Sequence, residues 1–301
     1  MSMALVGARC RATDRARACF VRACELDVAV RKPGNVSSAS PGHGMRAEMF
    51  VASAQAAAGP LFRPGARVGE RIEAAVDATW AVAGCNTNLG ILLLSAPIAL
   101  AVEREPEARA PAALQHAIEA VLADLDLSDA LAAYRAIARA QPGGLGAAPS
   151  QDVNRKPSID LRAAMALAAE RDSIARQYRD GFSDLFGLGL STLGRGFSLM
   201  ETPPAARPNA DSVALVQRLY LALLGRFADS HIVRIHGEAV AHIVMTAAQA
   251  WQARVRSAGR LDADPEFAAW DASLKADRIN PGTTADLTVA ALLIAGLTGP
   301  L

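Results

Sequence analysis

The residues of this chain that could do chemistry sit on polar turns that open apolar helices. Gly84-Cys85-Asn86-Thr87-Asn88-Leu89-Gly90 leads straight into the run Ile91 to Val102, whose only polar side chain is Ser95. Such a turn brings amides, side-chain carbonyls and a hydroxyl to the start of a core helix. Unpaired N–H groups and the positive end of the helix dipole favour an anion there. Asn and Thr are also ordinary N-caps, so the triplet Asn86, Thr87 and Asn88 reads either as a cap or as a ligand cradle. Asn280-Pro281-Gly282-Thr283-Thr284-Ala285-Asp286 repeats the theme before a second apolar run. Asp286 is expected in the first turn, where it complements the dipole or could ligate magnesium. On the turn Arg31-Lys32-Pro33-Gly34-Asn35, Lys32 could hold a phosphate or be a solvated lysine at a helix C-terminus. His43, in the small-residue loop from Ser37 to Gly44, reads as a hydrogen-bonded surface group or as an acid–base group.

The elements that must position these groups are helical. Apolar residues recur at helical spacing from about Thr13 or Asp14 to Ala29, from Met45 to Ala58 and from Val68 to Ala83, with Gly84 as the glycine that ends the third. After the central run come helices around 114–125 and 128–138, the latter capped by Ser128. The stretch from Gln141 to Pro157 is aperiodic and rich in Gly and Pro, which reads as a mobile loop across one domain. Asp160 is expected to cap one long helix through Tyr178, with Glu170, Arg171, Asp172, Arg176 and Arg179 solvated on its outer face. Glycines 181, 187, 189, 194 and 196 interrupt short apolar pieces, and Thr202 to Pro208 is a connection. Helices follow from Asp211 or Ser212 to Arg226, from Glu238 to Arg256, from Asp264-Pro265 and from Thr284 to Ala295. No stretch alternates with period two for long enough to require a strand. GxGxxG, Walker, GxSxG and HExxH patterns are absent from the sequence. The expected fold is all-α: a single multi-helix globular domain over 1–301 around a buried central helix.

Composition narrows the function. The 301 residues carry 31 basic and 30 acidic side chains, a net charge of +1, and 51% are hydrophobic. That argues against a nucleic-acid stripe or a polybasic membrane anchor, so any anionic ligand must be held locally. Cys10, Cys19, Cys24 and Cys85 form no Cys-x-x-Cys pair and no zinc pattern, which suits reduced structural thiols. The run Leu89 to Val102 is too short for a bilayer span and contains Pro97. With the N-terminal arginines following rather than preceding the first apolar residues, a cytoplasmic protein is expected.

Taken in order, Lys32-Pro33-Gly34-Asn35, His43, Asn86-Thr87-Asn88-Leu89-Gly90, Asp229-Ser230, His236-Gly237 and Asn280-Pro281-Gly282-Thr283-Thr284-Ala285-Asp286 resemble the triphosphoribosyl-dephospho-coenzyme A synthase family over roughly residues 20 to 297. The resemblance implies an all-helical enzyme that uses ATP as a glycosyl donor. A ribose hydroxyl of dephospho-coenzyme A attacks the anomeric carbon of ATP and adenine leaves. It also implies magnesium accompanying ATP. By the resemblance Lys32 and the amides near Gly34 and Gly90 go to phosphate, and Asn86, Thr87 and Asn88, with Asn280 and Gly282, to the nucleotide. Asp229 and Asp286 go to magnesium or ribose, and His43, Asp229 and His236 to catalysis. The chain departs from the family where an NT-His-Lys-Gly pattern is typical: Asn88 and Leu89 stand there, losing a cation and a titratable group. Around His43 the usual acidic residue is missing. The NTNLG form resembles the branch found in archaea and one-carbon-metabolising bacteria. Three readings follow: the family transferase acting on a dephospho-CoA-like acceptor, a related ATP-using enzyme of methanopterin- or methanofuran-type cofactor synthesis, or a non-catalytic helical nucleotide-binding protein. No nucleic-acid or membrane partner is expected, and a homo-oligomer stays open.

Overall fold

The computed structural model describes residues 3–194, 197–200, 208–258 and 261–299. Among these, fourteen α-helices and one π-helical turn account for the regular structure, with only two isolated bridges, Ser37 to Ser40 and Gly42 to Met45. The helices are α1 Met3–Ala29, α2 Ala47–Leu61, α3 Val68–Ala83, α4 Leu89–Arg104, α5 Pro111–Ala123, α6 Leu127–Ala140, α7 Leu161–Ala166 and α8 Ser173–Arg179. After the π turn Leu185–Gly189 come α9 Leu190–Leu193, α10 Ala210–Arg226, α11 Ser230–His236, α12 Glu238–Ala258, α13 Pro265–Ala276 and α14 Gly282–Thr298. Gly196 and Thr202 to Arg207, which the sequence placed in interruptions, lie outside the described residues.

Two apolar helices form the centre rather than one. Every residue of α4 from Leu89 to Val102 is buried, and α14 is buried from Thr283 to Leu297 apart from Asp286. They pack on each other and share α1 as a neighbour, with α3 and α5 against α4 and α10 against α14. A smaller cluster around Tyr220, Trp251 and Phe267 joins α10 to the last helices before α14.

Pro97 inside α4 lacks the N–H that would bond the carbonyl of Leu93. Tyr178 Oη donates to that carbonyl at 2.6 Å, so the gap in the ladder becomes an anchor for α8. Burial pushes the Tyr178 phenol far above its ordinary pKa, which keeps it a donor.

Several boundaries differ from expectation for local reasons. α1 starts some ten residues earlier than the apolar stripe suggested, because Ala, Leu and Arg favour helix without burial. Arg15 of α1 donates to Gly296 O at 2.9 Å, satisfying a carbonyl at the end of α14. Asp126, not Ser128, caps α6, accepting from the amides of Ser128 and Asp129. The single helix expected from Asp160 to Tyr178 is two: Asp160 caps α7 and Asp172 caps α8. Asp172 is not a solvated charge, since Arg234 Nη1 donates to its second oxygen at 2.7 Å. An N-cap and an ion pair at one aspartate outweigh the alanine-rich propensity of the segment. Gly84 ends α3 in the left-handed conformation at φ 66°, as the spacing predicts.

Candidate functional site

Four segments meet at the starts of α4 and α14. The turn after α1 packs on the turn before α14 so closely that a Cβ on Gly34, at φ 79°, would stand 2.7 Å from Pro281 Cδ and 2.9 Å from Ile279 O. Only glycine fits that approach. Asn35 Nδ2 donates to Asn280 Oδ1 at 2.9 Å and locks the two turns together. Gly34 N donates to Asp271 Oδ1 at 2.9 Å, while its carbonyl accepts from His43 Nε2–H at 2.7 Å. A carbonyl only accepts, so His43 carries a proton on Nε2 and has Nδ1 left to take up a second.

At the start of α4 the three polar residues have separate tasks. Asn86 Oδ1 accepts from Leu89 N at 3.0 Å, reaching the first amide of α4 from two residues before the N-cap Asn88, whose own side chain caps nothing. Thr87 Oγ1 donates to Ser53 Oγ at 2.7 Å, tying the turn to α2. Asn88 is buried and its amide nitrogen has no partner. Gly90 faces Asp286 of α14: a Cβ there would overlap the carboxylate and lie 2.6 Å from Ile174 Cδ1. The amides of Gly90 and Ile91 fall in the first turn and have no intrahelical acceptor.

These groups line a cavity of about 720 Å³, within the range of small-molecule sites. His43, Asn86, Thr87, Asn88, Gly90, Asn280, Gly282 and Asp286 all face it. The other sequence-derived candidates do not, and each is corrected by its contacts. Lys32 is neither at a phosphate nor solvated: it is fully buried, with Nζ donating to Asp27 O at 2.6 Å and paired with Asp27 Oδ2 at 3.1 Å. The Gly34 amide is spent on Asp271. Asp229 is a double cap and not a free ligand. Its Oδ1 accepts from the amides of His231 and Ile232, and its Oδ2 from the amide and hydroxyl of Thr284. His236 Nε2–H donates to Arg278 O at 3.1 Å, so the ring ties the end of α11 to the turn before α14. Asp286 lies in the second turn of α14, where it does not serve the dipole.

The structure adds residues that sequence reasoning missed. Asp27, Asp172, His231 and Arg234 line the cavity. Asp27 Oδ1 and Arg234 Nε are buried without partners, as is Asn88 Nδ2. Arg234 and His231 sit two and five residues ahead of His236 in the same segment, three apart from each other, so their helical phase was the available signal. Asp27 gave no signal, being one polar residue on an amphipathic helix.

The electrostatics concentrate on Asp286. Burial pushes its carboxyl well above the usual carboxylate range, reinforced by Asp229, Asp27 and Asp172 and opposed by Arg234. Burial likewise raises Asp27 against the pull of Lys32. His231 is pushed down, mainly by burial, so its ring favours the neutral form despite Asp229. Among the described residues, no three His, Cys, Asp or Glu side chains form a group able to hold a metal ion. None of the helices, among the described residues, is long and apolar enough to cross a membrane.

Taken together, the described residues form an all-α fold with a cavity that is polar where two core helices begin and holds unpaired buried donors and acceptors. The family model for ATP:dephospho-CoA triphosphoribosyl transferase matches residues 13–300, and the chain belongs to that family of transferases. No curated protein matches the chain by sequence. Its fold is similar to the crystal structure of a protein from Archaeoglobus fulgidus provisionally named triphosphoribosyl-dephospho-CoA synthase, with 23% identity and a TM-score of 0.63 over 83% of this chain and 99% of that one. ATP and dephospho-CoA are the substrates that define the family.

Proposed function

We propose that this cavity transfers the triphosphoribosyl group of ATP to a ribose hydroxyl of dephospho-CoA, releasing adenine. The observation that carries the reading is the set of buried polar atoms without partners, Asp27 Oδ1, Asn88 Nδ2 and Arg234 Nε, beside open amides at the start of α4. Leaving a buried polar group unpaired costs ~1–3 kcal/mol, so three around one cavity favour a polar ligand that completes them. The triphosphate meets the amides of Gly90 and Ile91 and the Arg234 guanidinium, which Asp172 holds at 2.7 Å. Arg234 thereby supplies the cation that Leu89 does not. His43 Nδ1 takes the proton of the attacking hydroxyl as the new C–O bond forms and the bond from anomeric carbon to adenine breaks. Adenine leaves with one proton taken from solvent at the ring nitrogen freed from the sugar, and His43 returns the hydroxyl's proton to solvent, so the exchange balances.

Magnesium enters with the triphosphate as part of the substrate. It commonly takes one or two protein carboxylates and otherwise phosphate oxygens and water. Asp286 suits that single place, because its side chain faces the cavity beside the start of α4 and a cation there relieves the repulsion from Asp27, Asp172 and Asp229. Asp229 does not, its oxygens being occupied by four donors.

The test is adenine release and mass spectrometry with purified protein, ATP, magnesium and dephospho-CoA. Free adenine together with a triphosphoribosylated acceptor is the expected result. ATP binding without adenine release would favour the second reading, a related enzyme acting on a one-carbon carrier of the methanopterin or methanofuran type, to which Asn88 and Leu89 point.

A further inference from the structure

His43 stands on a turn, not on a helix, and that turn is held from outside the cavity. The loop before α2 folds into two tight turns, each closed on itself by a pair of backbone hydrogen bonds. Ser37 and Ser40 exchange bonds of 3.0 and 3.0 Å, and Gly42 and Met45 exchange bonds of 3.2 and 2.8 Å. His43 and Gly44 are the central residues of the second turn, at φ 55° and 73°. Positive φ at both places is the mirror-image turn, which glycine adopts freely and histidine only occasionally. His43 therefore sits on strained backbone, and a four-residue turn has no core of its own to keep it there.

The support comes from α13. Lys275 Nζ donates to Ser40 O at 2.8 Å and to Ser40 Oγ at 2.6 Å. A Cβ on Gly42 would stand 3.1 Å from Lys275 Cδ and Cε, so the aliphatic stem of the lysine runs along the second turn. One helical turn earlier, Asp271 is fully buried and pairs with Lys275 Nζ at 2.9 Å. It also accepts from Arg31 Nη1 at 3.3 Å and from Gly34 N at 2.9 Å. Gly34 is the residue whose carbonyl accepts from His43 Nε2–H at 2.7 Å. α13 thus grips both ends of that hydrogen bond, the acceptor through Asp271 and the turn of the donor through Lys275. Both residues lie outside the lining of the cavity that His43 faces.

We propose that Asp271 and Lys275 are positioning residues for His43, fixing the carbonyl and the turn that keep its proton on Nε2 and leave Nδ1 as the base. The proposal rests on the transferase reading for what Nδ1 does, and adds what makes the ring ready to do it. A neutral imidazole has one N–H and one lone pair, and the partner of one nitrogen decides which is which. If the turn moves away from Gly34 O, the proton can sit on either nitrogen, and a ring with Nδ1–H cannot take up a proton there. The ring is also displaced, and a small misplacement of a reacting group is enough to slow a reaction strongly.

Full-length Lys275→Met protein tests this with two independent readouts. NMR of isotope-labelled histidine rings, with His43 assigned by the signal lost in His43→Gln, reads the tautomer. Adenine release from ATP and dephospho-CoA, with calorimetric titration of ATP, reads rate and affinity. The parent is expected to hold His43 in the Nε2–H form and Lys275→Met to show a mixture of both forms. The kcat for adenine release should fall at least about tenfold, with the dissociation constant for ATP unchanged within about twofold. Asp271→Asn, which keeps an oxygen to accept from Gly34 N but loses the charge that holds Lys275, should shift both readouts in the same direction by less, and decides the matter should Lys275→Met fail to fold. An unchanged tautomer overturns the proposal, as does an unchanged rate in a protein that turns over. A loss of ATP affinity equal to the loss of rate overturns it too, because α13 would then support the whole cavity and not His43. A mixed tautomer in the variant of a parent that releases no adenine leaves the positioning standing and retires the transferase reading.

Discussion

The starts of α4 and α14 look alike in sequence and do opposite things. Each is a small, Asn-containing turn feeding an apolar helix in the core. At α14 the first-turn amide of Thr284 is closed by Asp229 from α11, and Thr284 Oγ1 is held by the same oxygen. At α4 the cap reaches Leu89 only, and the amides of Gly90 and Ile91 stay open beside an unpaired Asn88 side chain. A helix start binds an anion only when nothing in the fold has already taken its amides. On the reading proposed above, the α4 start is the binding end, and α14 contributes Asp286 from its second turn instead of its dipole.

That contrast can be broken at Asp229. If its carboxylate is a double cap, Asp229→Ala destabilises the fold by about 2–4 kcal/mol, two caps at roughly 1–2 kcal/mol each. Urea unfolding measures it, and an Asp229→Ala protein as stable as the parent would return Asp229 to the ligands. At the open start, Gly90→Ala forces a methyl into Asp286 and Ile174. Overpacking of this kind costs ~1–3 kcal/mol, and ATP affinity measured by titration should fall with it, because the α4 amides and Asp286 are pushed apart. Normal ATP affinity in folded Gly90→Ala protein would detach the anion site from α4.

The smallest effect is the pH response of Asp286. Its folded pKa is raised, so the folded state binds more protons than the unfolded chain between the two values. The stabilising contribution is complete below an ordinary aspartate pKa of about 3.9 and is lost as pH rises through the folded value. Asp286→Asn removes the titration. The variant should melt a few degrees above the parent near pH 8, with the gap closing as pH falls toward about 4. A gap that widens on acidification would mean that the carboxylate is held by donors rather than crowded by other carboxylates.

How much was legible depended on what each residue's signal was. The central run from Leu89 to Val102 could only be a core helix, since no other element of that length hides so many apolar side chains. Gly84, Asp160 and Asp264-Pro265 announced their helix ends through backbone chemistry that acts within a few residues. The break at Asp172 was hidden because its ion pair with Arg234 spans 62 positions. Lys32 and Asp229 misled for the same reason: a buried lysine and a capping aspartate have the same letters as a phosphate ligand and a metal ligand. His43, Asn88 and Asp286 were placed in the cavity by type and by turn context, whereas Asp27 and Arg234 entered it only through packing.

By itself the sequence determined an all-helical chain, the apolar cores of α4 and α14, and the polar turns that open them, because periodicity, caps and glycine act locally. Tertiary structure decided which of those turns remained open, since an amide is available only if no distant side chain has reached it. It decided likewise that Asp229 caps while Asp286 faces the cavity, because burial and partners, and not residue type, set what a carboxylate does.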